Sequence, residues 1–281
     1  MRIAVLADIH GNMPAFEAAL EHVAQQRVDQ IIIAGDLVVG APESAACWQL
    51  AQSLNCPIVR GNHEGYVARY GTAAAPAEWQ TRQFTPIQWA AAQFTETERQ
   101  AIDNLPAFLR LPHIPDLLVV HASLRNDRDS IMAHTPEAAL APMFPDVSES
   151  LIVRAHNHQG QVRLWAGHQI VTTGSVGLAL DSHPTAQYLL LEQTPRGPHD
   201  QPGWKFWHQS VPYDIQATIQ RFHTSGYLAA AGPMAQLYLR EVATASFYIV
   251  PFLHAYQRWQ KIEHLSLDAA LARYLDPMAY G

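Results

Sequence analysis

The chain has 281 residues, 48% of them hydrophobic and 15% charged, so it is long enough to bury a full core and too apolar to stay disordered. Its 18 Lys and Arg against 25 Asp and Glu give a formal net charge of -7. No summed positive field draws in a polyanion, and nucleic acid is not an expected partner. Cys47 and Cys56 are the only cysteines, too few for a disulfide framework, and reduced cytoplasmic thiols are the simplest reading. The opening MRIAVLADIH places Asp8 where a signal peptide would be apolar. The longest late apolar run, Ala245 to Leu253, contains Pro251 and is well short of the roughly 20 residues a bilayer-spanning helix needs. No membrane span is expected.

In chain order, Arg2 to Ala7 is an apolar run ending at Asp8, and Asn12 with Pro14 supplies a cap and a first-turn proline for a helix carrying Phe16, Ala19, Leu20 and Val23 at helical spacing. Ile31 to Ile33 follows as a fully apolar strand ending at Gly35-Asp36. A second helix starts near Pro42 with Ala46, Leu50 and Leu54 on one face, and Pro57 to Val59 then runs into Gly61-Asn62-His63. This βαβαβ order implies a parallel sheet covered on both faces. Tyr66 to Pro106 is helical and loop-broken, with Trp89, Ala92 and Phe94 as core candidates. Shorter β runs follow at Phe108–Leu111, Leu117–Val120, Leu151–Val153, Val162–Trp165, Gln169–Val171, Tyr188–Glu192 and Lys205–His208, and they predict a second sheet with antiparallel hairpins. Pro195 to Gly203 reads as a hairpin loop. From Asp214 the pattern is helical to the end.

The apolar strands end in side chains that can bind metal. Asp8 and His10 follow the first strand, Asp36 the second, Asn62 and His63 the third, His121 the run to Val120, and His156 and His158 the run to Val153. In open α/β sheets, ligands gather beyond the carboxyl ends of the strands, where residues distant in sequence converge. Each of these blocks alone could be a turn, but turns do not require imidazoles and carboxylates together. The excess of histidine, 15 in all, points the same way.

Mixed carboxylate, imidazole and amide oxygen suits Mn, Fe or Zn better than Ca. Seven ligands exceed the four of one tetrahedral site, so two ions are expected, bridged by Asp36. Asp8, His10 and His158 complete one ion, and Asn62, His121 and His156 the other. His63 has no metal duty; held beside a ligand, it suits a proton donor to a leaving group.

Taken together, D-x-H (Asp8, His10), G-D (Gly35, Asp36), G-N-H-E (Gly61 to Glu64), His121 and x-H-x-H (Ala155 to His158) resemble the calcineurin-like metallophosphoesterase superfamily. The likeness to its small prokaryotic phosphoesterase branch runs through ADIHGNMPAFEAAL, AGDLVVGAP, VRGNHE, VVHASLR, VTTGSVG and VPYDI, and covers about Met1 to Gly226. It implies an α+β fold, a four-layer αββα sandwich of two mixed sheets flanked by helices, with the dinuclear site at the strand ends. It also implies the ligand assignment above, two divalent or trivalent ions (Mn, Fe, Zn or Ni), and His63 near the scissile phosphate. Arg125 and Asn12 are candidate substrate contacts.

The chain departs from the pattern in three places. Ala155 stands where the family usually has Gly before the paired histidines, so the backbone there is expected to lose freedom. Thr172-Thr173 replaces the usual N-P. Leu178-Ala179-Leu180 replaces Q-P-R, which removes a guanidinium from the substrate loop. Residues 1–226 form the expected phosphoesterase domain and residues 227–281 a helical extension packed on it or at a dimer interface. The apolar stretch Phe247 to Leu253 reads as core or a dimer face, with closure over the site as the alternative.

The function that follows is hydrolysis of a small phosphate ester, mono- or diester, with a metal-bridging hydroxide as nucleophile and His63 as acid. The competing readings are a non-catalytic interaction scaffold of the same fold and, against the charge balance, a nuclease.

Overall fold

The structure is a computed structural model that describes residues 1–196 and 202–276. The centre of the loop predicted at Pro195 to Gly203 therefore lies outside the described residues.

β1 (Arg2–Leu6) begins the chain, and α1 (Met13–Gln25) returns over it. Asn12 caps α1 by accepting from the Ala15 amide at 3.4 Å, with Pro14 in the first turn, and Phe16, Ala19 and Val23 are buried as the periodicity requires. β2 (Gln30–Ile33) pairs with β1 in parallel, with Ile3 opposite Gln30 and Leu6 opposite Ile33. α2 (Ser44–Ser53) buries Cys47, Trp48 and Ala51. Its deepest stripe is thus rotated from the expected Ala46, Leu50 and Leu54, which are half-buried.

The third predicted strand is reduced to one bridge, Ile33 to Ile58, with two hydrogen bonds. Pro57 has no amide to donate, and α3 (Asn62–Arg69) starts almost at once, so pairing cannot extend. Two further helices follow, α4 (Thr85–Ala91) and α5 (Glu96–Asp103). Phe94 is buried as expected, but Trp89 is half-buried and Ala92, just past the end of α4, is exposed; Ala90 and Ala91 take the core position.

The second sheet holds β3 (Phe108–Leu111), β4 (Ile114–Val120), β5 (Leu151–Arg154), β6 (Gln161–Trp165) and β7 (His168–Thr172), in the order β3-β4-β5-β7-β6. α6 (Glu137–Leu140) lies between β4 and β5 in sequence. β8 (Ala186–Arg196) and β9 (Pro202–Val211) form an antiparallel hairpin, as predicted, but join the first sheet in the order β2-β1-β8-β9. Their pattern misleads because β8 is covered on both faces, and a strand of that kind reads alike in either sheet.

The period of two sorts the strand residues into layers. Ile3, Val5, Leu189 and Leu191 pack against Leu117, Val119, Leu151 and Val153 between the sheets. Their neighbours Ala4, Leu6, Tyr188 and Leu190 face α1 and α2. On the far side Leu118, Val120 and Ile152 meet Ile131, Leu140 and Phe144. The result is the expected αββα order, with a thin outer layer on the second sheet.

α7 (Ile215–Thr224) is capped by Asp214, and α8 (Tyr227–Thr244) bends at Gly232-Pro233. Its second half packs with α9 (Ile249–Glu263) and α10 (Leu267–Leu275) through Leu237, Phe252, Trp259 and Leu271. Arg82 forks onto Asp268 and ties α10 back to the first half of the chain. No helix among the described residues is long and apolar enough to cross a membrane.

Gly177 fixes how closely the loop after β7 approaches the end of β1. A Cβ there would lie 1.8 Å from the carbonyl oxygen of Ile9, a backbone atom that cannot step aside without moving Asp8 and His10. Gly177→Ala is expected to cost about 3 kcal/mol, as overpacking against backbone does, and a lowered denaturant midpoint in urea unfolding checks it.

Candidate metal centre

The loops after β1 and β2 are zipped together. The amides of Asp8, His10 and Gly11 donate to the carbonyls of Gly35, Asp36 and Leu37 at 3.0, 2.9 and 2.9 Å. The loop after β5 joins through the Ala155 amide on the His121 carbonyl at 2.8 Å and the His156 amide on Asp8 Oδ2 at 3.2 Å. Asp8, His10, Asp36, His156 and His158 all sit in the left-handed region, with φ of 53°, 51°, 55°, 71° and 58°. Each non-glycine residue held there costs on the order of 1–3 kcal/mol, and such strain concentrates where geometry serves a ligand. Ala155 is not among the positive-φ residues, so the missing glycine costs this backbone nothing.

Gly61 is an N-cap in extended conformation rather than part of a left-handed loop, and Asn62 and His63 open α3. The glycine is required by proximity, since a Cβ would fall 2.2 Å from Asp36 Oδ1. Asp36 Oδ1 instead accepts from the His63 amide at 2.9 Å.

The seven predicted ligands come together. His10 Nε2 lies 3.1 Å from His158 Nε2 and 3.8 Å from Asp36 Oδ2. His158 Nε2 is 3.8 Å from Asp8 Oδ1. His121 Nε2 is 3.3 Å from Asp36 Oδ2 and 3.1 Å from Asn62 Oδ1. Two groups, Asp8 with His10 and His158, and Asp36 with His121 and His156, each hold their ligand atoms within 4.8 Å of one another. His63 lies with them: its Nε2 is 3.9 Å from Asp36 Oδ2, and it forms a third such group with His10 and Asp36.

The donor chemistry fits a cation. His10 Nδ1 and His158 Nδ1 sit 2.7 and 2.6 Å from the carbonyl oxygens of Val39 and Leu178. A carbonyl only accepts, so each Nδ1 carries the hydrogen and the facing Nε2 atoms present two lone pairs to one another. Asp8 Oδ1 is buried without a hydrogen-bond partner. A positive ion among these atoms satisfies all of them.

The titration behaviour follows from the same crowding. Burial pushes the Asp8 carboxyl up to about 6, against the pull of His158 and His121. Burial would raise Asp36 too, but His121, His63 and His10 outweigh it and hold the carboxyl well below the usual range. His121 is the counterpart: burial opposes its charge, yet Asp36 and Asp8 push it up to about 9. Burial and the neighbouring His158 and His63 keep His10 well below its ordinary value, and burial with His121 takes His156 down to about 3.

Three supporting residues went unassigned in the sequence. Glu64, within the G-N-H-E block, is fully buried and accepts from the amides of Asp36, Leu37 and Gly61 at 2.7, 2.7 and 2.8 Å, which fixes the turn carrying Asp36. Arg154, two residues before His156, is fully buried and donates to the carbonyls of Ala122 and Asp129 at 2.8 and 2.6 Å and to Asn157. Its signal was a charge inside an apolar strand. Glu241 on α8 had no signal beyond a helical pattern; it lines the cavity over the cluster together with His10, His63, His156 and His158.

The two candidate substrate contacts have partners of their own. Asn12 donates to Gly177 and Tyr213 and accepts from Ala15 and Thr218, which uses its amide fully. Arg125 is forked onto Asp129 at 2.9 and 2.5 Å and borders a second cavity of about 290 Å³ whose lining includes the predicted ligand His121. Neither lines the cavity over the cluster.

The chain belongs to the calcineurin-like phosphoesterases, whose family model matches residues 1–160. It is similar to an uncharacterized protein of Methanocaldococcus jannaschii, 23% identical over 249 residues that span 78% of this chain and 90% of that one. A metallophosphoesterase from Sphaerobacter thermophilus shares the fold with a TM-score of 0.66 and 24% identity, over 87% of this chain and 99% of the other. A hypothetical protein from Pyrococcus horikoshii does so with a TM-score of 0.64 and 18% identity, over 84% and 97%.

A metal ion must displace the proton on His121, whose raised value keeps it charged at neutral pH, and below about 6 it must displace one from Asp8 as well. Titrating Mn²⁺ into chelator-treated protein is therefore expected to release about one proton near neutral pH and to weaken as pH falls through the Asp8 value. Calorimetry in two buffers of different ionisation heat reads both effects.

Proposed function

We propose that the protein hydrolyses phosphate esters at a two-metal centre, one ion held by Asp8, His10 and His158, the other by Asn62, His121 and His156, with Asp36 between them. The observation that carries this is the cluster itself, in which paired imidazole lone pairs and the orphaned Asp8 Oδ1 face inward among strained backbone turns. When bound, ions such as Mn, Fe, Zn or Ni supply Lewis acidity, lowering the pKa of water toward 7 and offsetting charge on phosphoryl oxygens.

The chain's own residues position and protonate the substrate. His63 stands at the edge of the cluster and lines the cavity over it, its ring 4.8 Å from that of His10 and 5.2 Å from that of Tyr66. Burial holds the His63 imidazole below its ordinary value even though Asp36 opposes the shift. The proton it donates is therefore stabilised by the substrate: a phosphate dianion beside the ring raises its affinity for a proton as the ester binds. His63 then gives that proton to the departing alkoxide. Glu64 and Arg154 act by holding the Asp36 turn and the loop before His156, with no contact to the reacting atoms.

The substrate reading is a small phosphorylated molecule, mono- or diester, since the cavity over the cluster measures about 360 Å³. Cys47 and Cys56 are both unpaired, in keeping with a reducing compartment, and the cytoplasm is the proposed location.

His63→Ala is expected to lower turnover of an alkyl phosphate by about 10²–10⁴, the range of general-acid catalysis. The loss is expected to be much smaller for p-nitrophenyl phosphate, whose leaving group departs without a proton. Steady-state kinetics on both esters with Mn²⁺-loaded protein reads the difference; equal losses would remove His63 from the acid role.

A further inference from the structure

The cavity over the cluster has two unlike walls. One is made of His10, His63, His156 and His158. The other is apolar: Leu178 and Leu180 come from the loop after β7, and Phe247, Ile249 and Val250 from the elbow between α8 and α9. Among the described residues, no lysine or arginine borders it. Opposite the imidazoles its described ionisable groups are Tyr238 and Glu241, and Glu241 Oε1 accepts from the amides of Tyr248 and Ile249, both at 2.8 Å, and so caps the start of α9.

The apolar wall is built into the fold. Glu241 is 3% exposed and fixes the elbow from inside. The Ser182 amide donates to the Ala245 carbonyl at 2.8 Å, which ties the elbow to the loop bearing Leu178 and Leu180. Below the elbow, Phe252 is fully buried in the core of the extension. At the mouth, however, Phe247 and Val250 leave 42% and 52% of their surface in water. Large apolar side chains grouped at the rim of a pocket mark a surface that a ligand covers.

We propose that this cavity receives the uncharged apolar group of the substrate, so that the esters hydrolysed are aryl or long-chain alkyl phosphates and not nucleoside polyphosphates. The inference rests on the phosphoesterase reading above and specifies its substrate class. Away from the imidazoles, a second phosphoryl group in this cavity would meet the polar side chains of Ser130, Asn157 and Tyr238 but no lysine or arginine among the described lining residues, and it would lie against the apolar wall and face the Glu241 carboxyl. An aryl ring or an octyl chain fits the volume of about 360 Å³ and removes apolar surface from water on both sides. The α8–α9 elbow thereby selects the substrate while the strand-end loops supply the chemistry.

The test uses the full chain loaded with Mn²⁺. Methylphosphonate, butylphosphonate and octylphosphonate, which cannot be hydrolysed as esters, are titrated by calorimetry. In parallel, KM and kcat are measured for methyl, butyl, octyl and 1-naphthyl phosphate and for ATP. Phosphonate affinity is expected to rise about fourfold per methylene over the first steps of the series, with KM falling in step and ATP the poorest substrate. In the double variant Phe247→Ala, Val250→Ala, both sites being largely exposed, the ratio of octyl to methyl affinity is expected to shrink, and Val250→Lys is expected to move preference toward ATP. Equal affinity along the series, or ATP as the best substrate, would overturn the proposal. Hydrolysis of every ester without discrimination would overturn it and leave the phosphoesterase reading standing. Phosphonate discrimination with no hydrolysis of any ester would support the pocket and sink the hydrolase reading.

Discussion

A fully buried carboxylate organises this molecule. Asp36 has 1% of its surface exposed and, among the described residues, no lysine or arginine paired with it. A charge so placed would be too costly in an apolar interior. It is met by the His63 amide on one oxygen and by the imidazoles of His121, His10 and His63 around the other. Its own amide is anchored on Glu64 and its carbonyl accepts from His10. Through these contacts one residue joins the ends of β1, β2 and β4 and the start of α3.

The sheets, in turn, bear the strain of the site. Five ligand residues adopt left-handed backbone conformations, a cost that persists only where surrounding structure over-determines it. Here the surroundings are the three-rung zipper between the loops after β1 and β2, the apolar packing between the sheets, and the close approach of Gly61 and Gly177 to neighbouring backbone. Arg154 does the same from below, bonded to carbonyl oxygens instead of a carboxylate. Burial lowers its affinity for a proton to about 10, yet at neutral pH it stays charged and adds positive potential behind Asp8.

The helices after residue 214 do different work. Their first members pack beside α1 and α4 and bury Phe222 and Tyr227 against Ala41 and Leu178. The later ones build a separate apolar core around Phe252 and Trp259. The bend between the two, where Glu241 caps α9, is what reaches the cavity. A capping interaction, ordinarily a matter of helix stability, here sets the shape of the wall that faces the metal centre.

What could be read in the amino-acid order was whatever depends on chemistry and short-range pattern. Metal-competent residues after apolar strands, the Asn12 cap, the alternation of β and α, and His63 beside a ligand are local facts, and the fold preserved them because strand ends converge wherever parallel strands pair. What could not be read depends on contacts between distant segments. Pro57 let the third strand shrink to a bridge, and the place of the β8–β9 hairpin in the first sheet was hidden because β8 is buried on both faces and so reads alike in either sheet. Arg125 and Asn12 were drawn to partners at Asp129 and Thr218 that nothing in their own motifs announces. Glu64 and Glu241 owe their roles to amides they meet only after folding. Residue type set which groups could hold a cation; packing decided what stands opposite them.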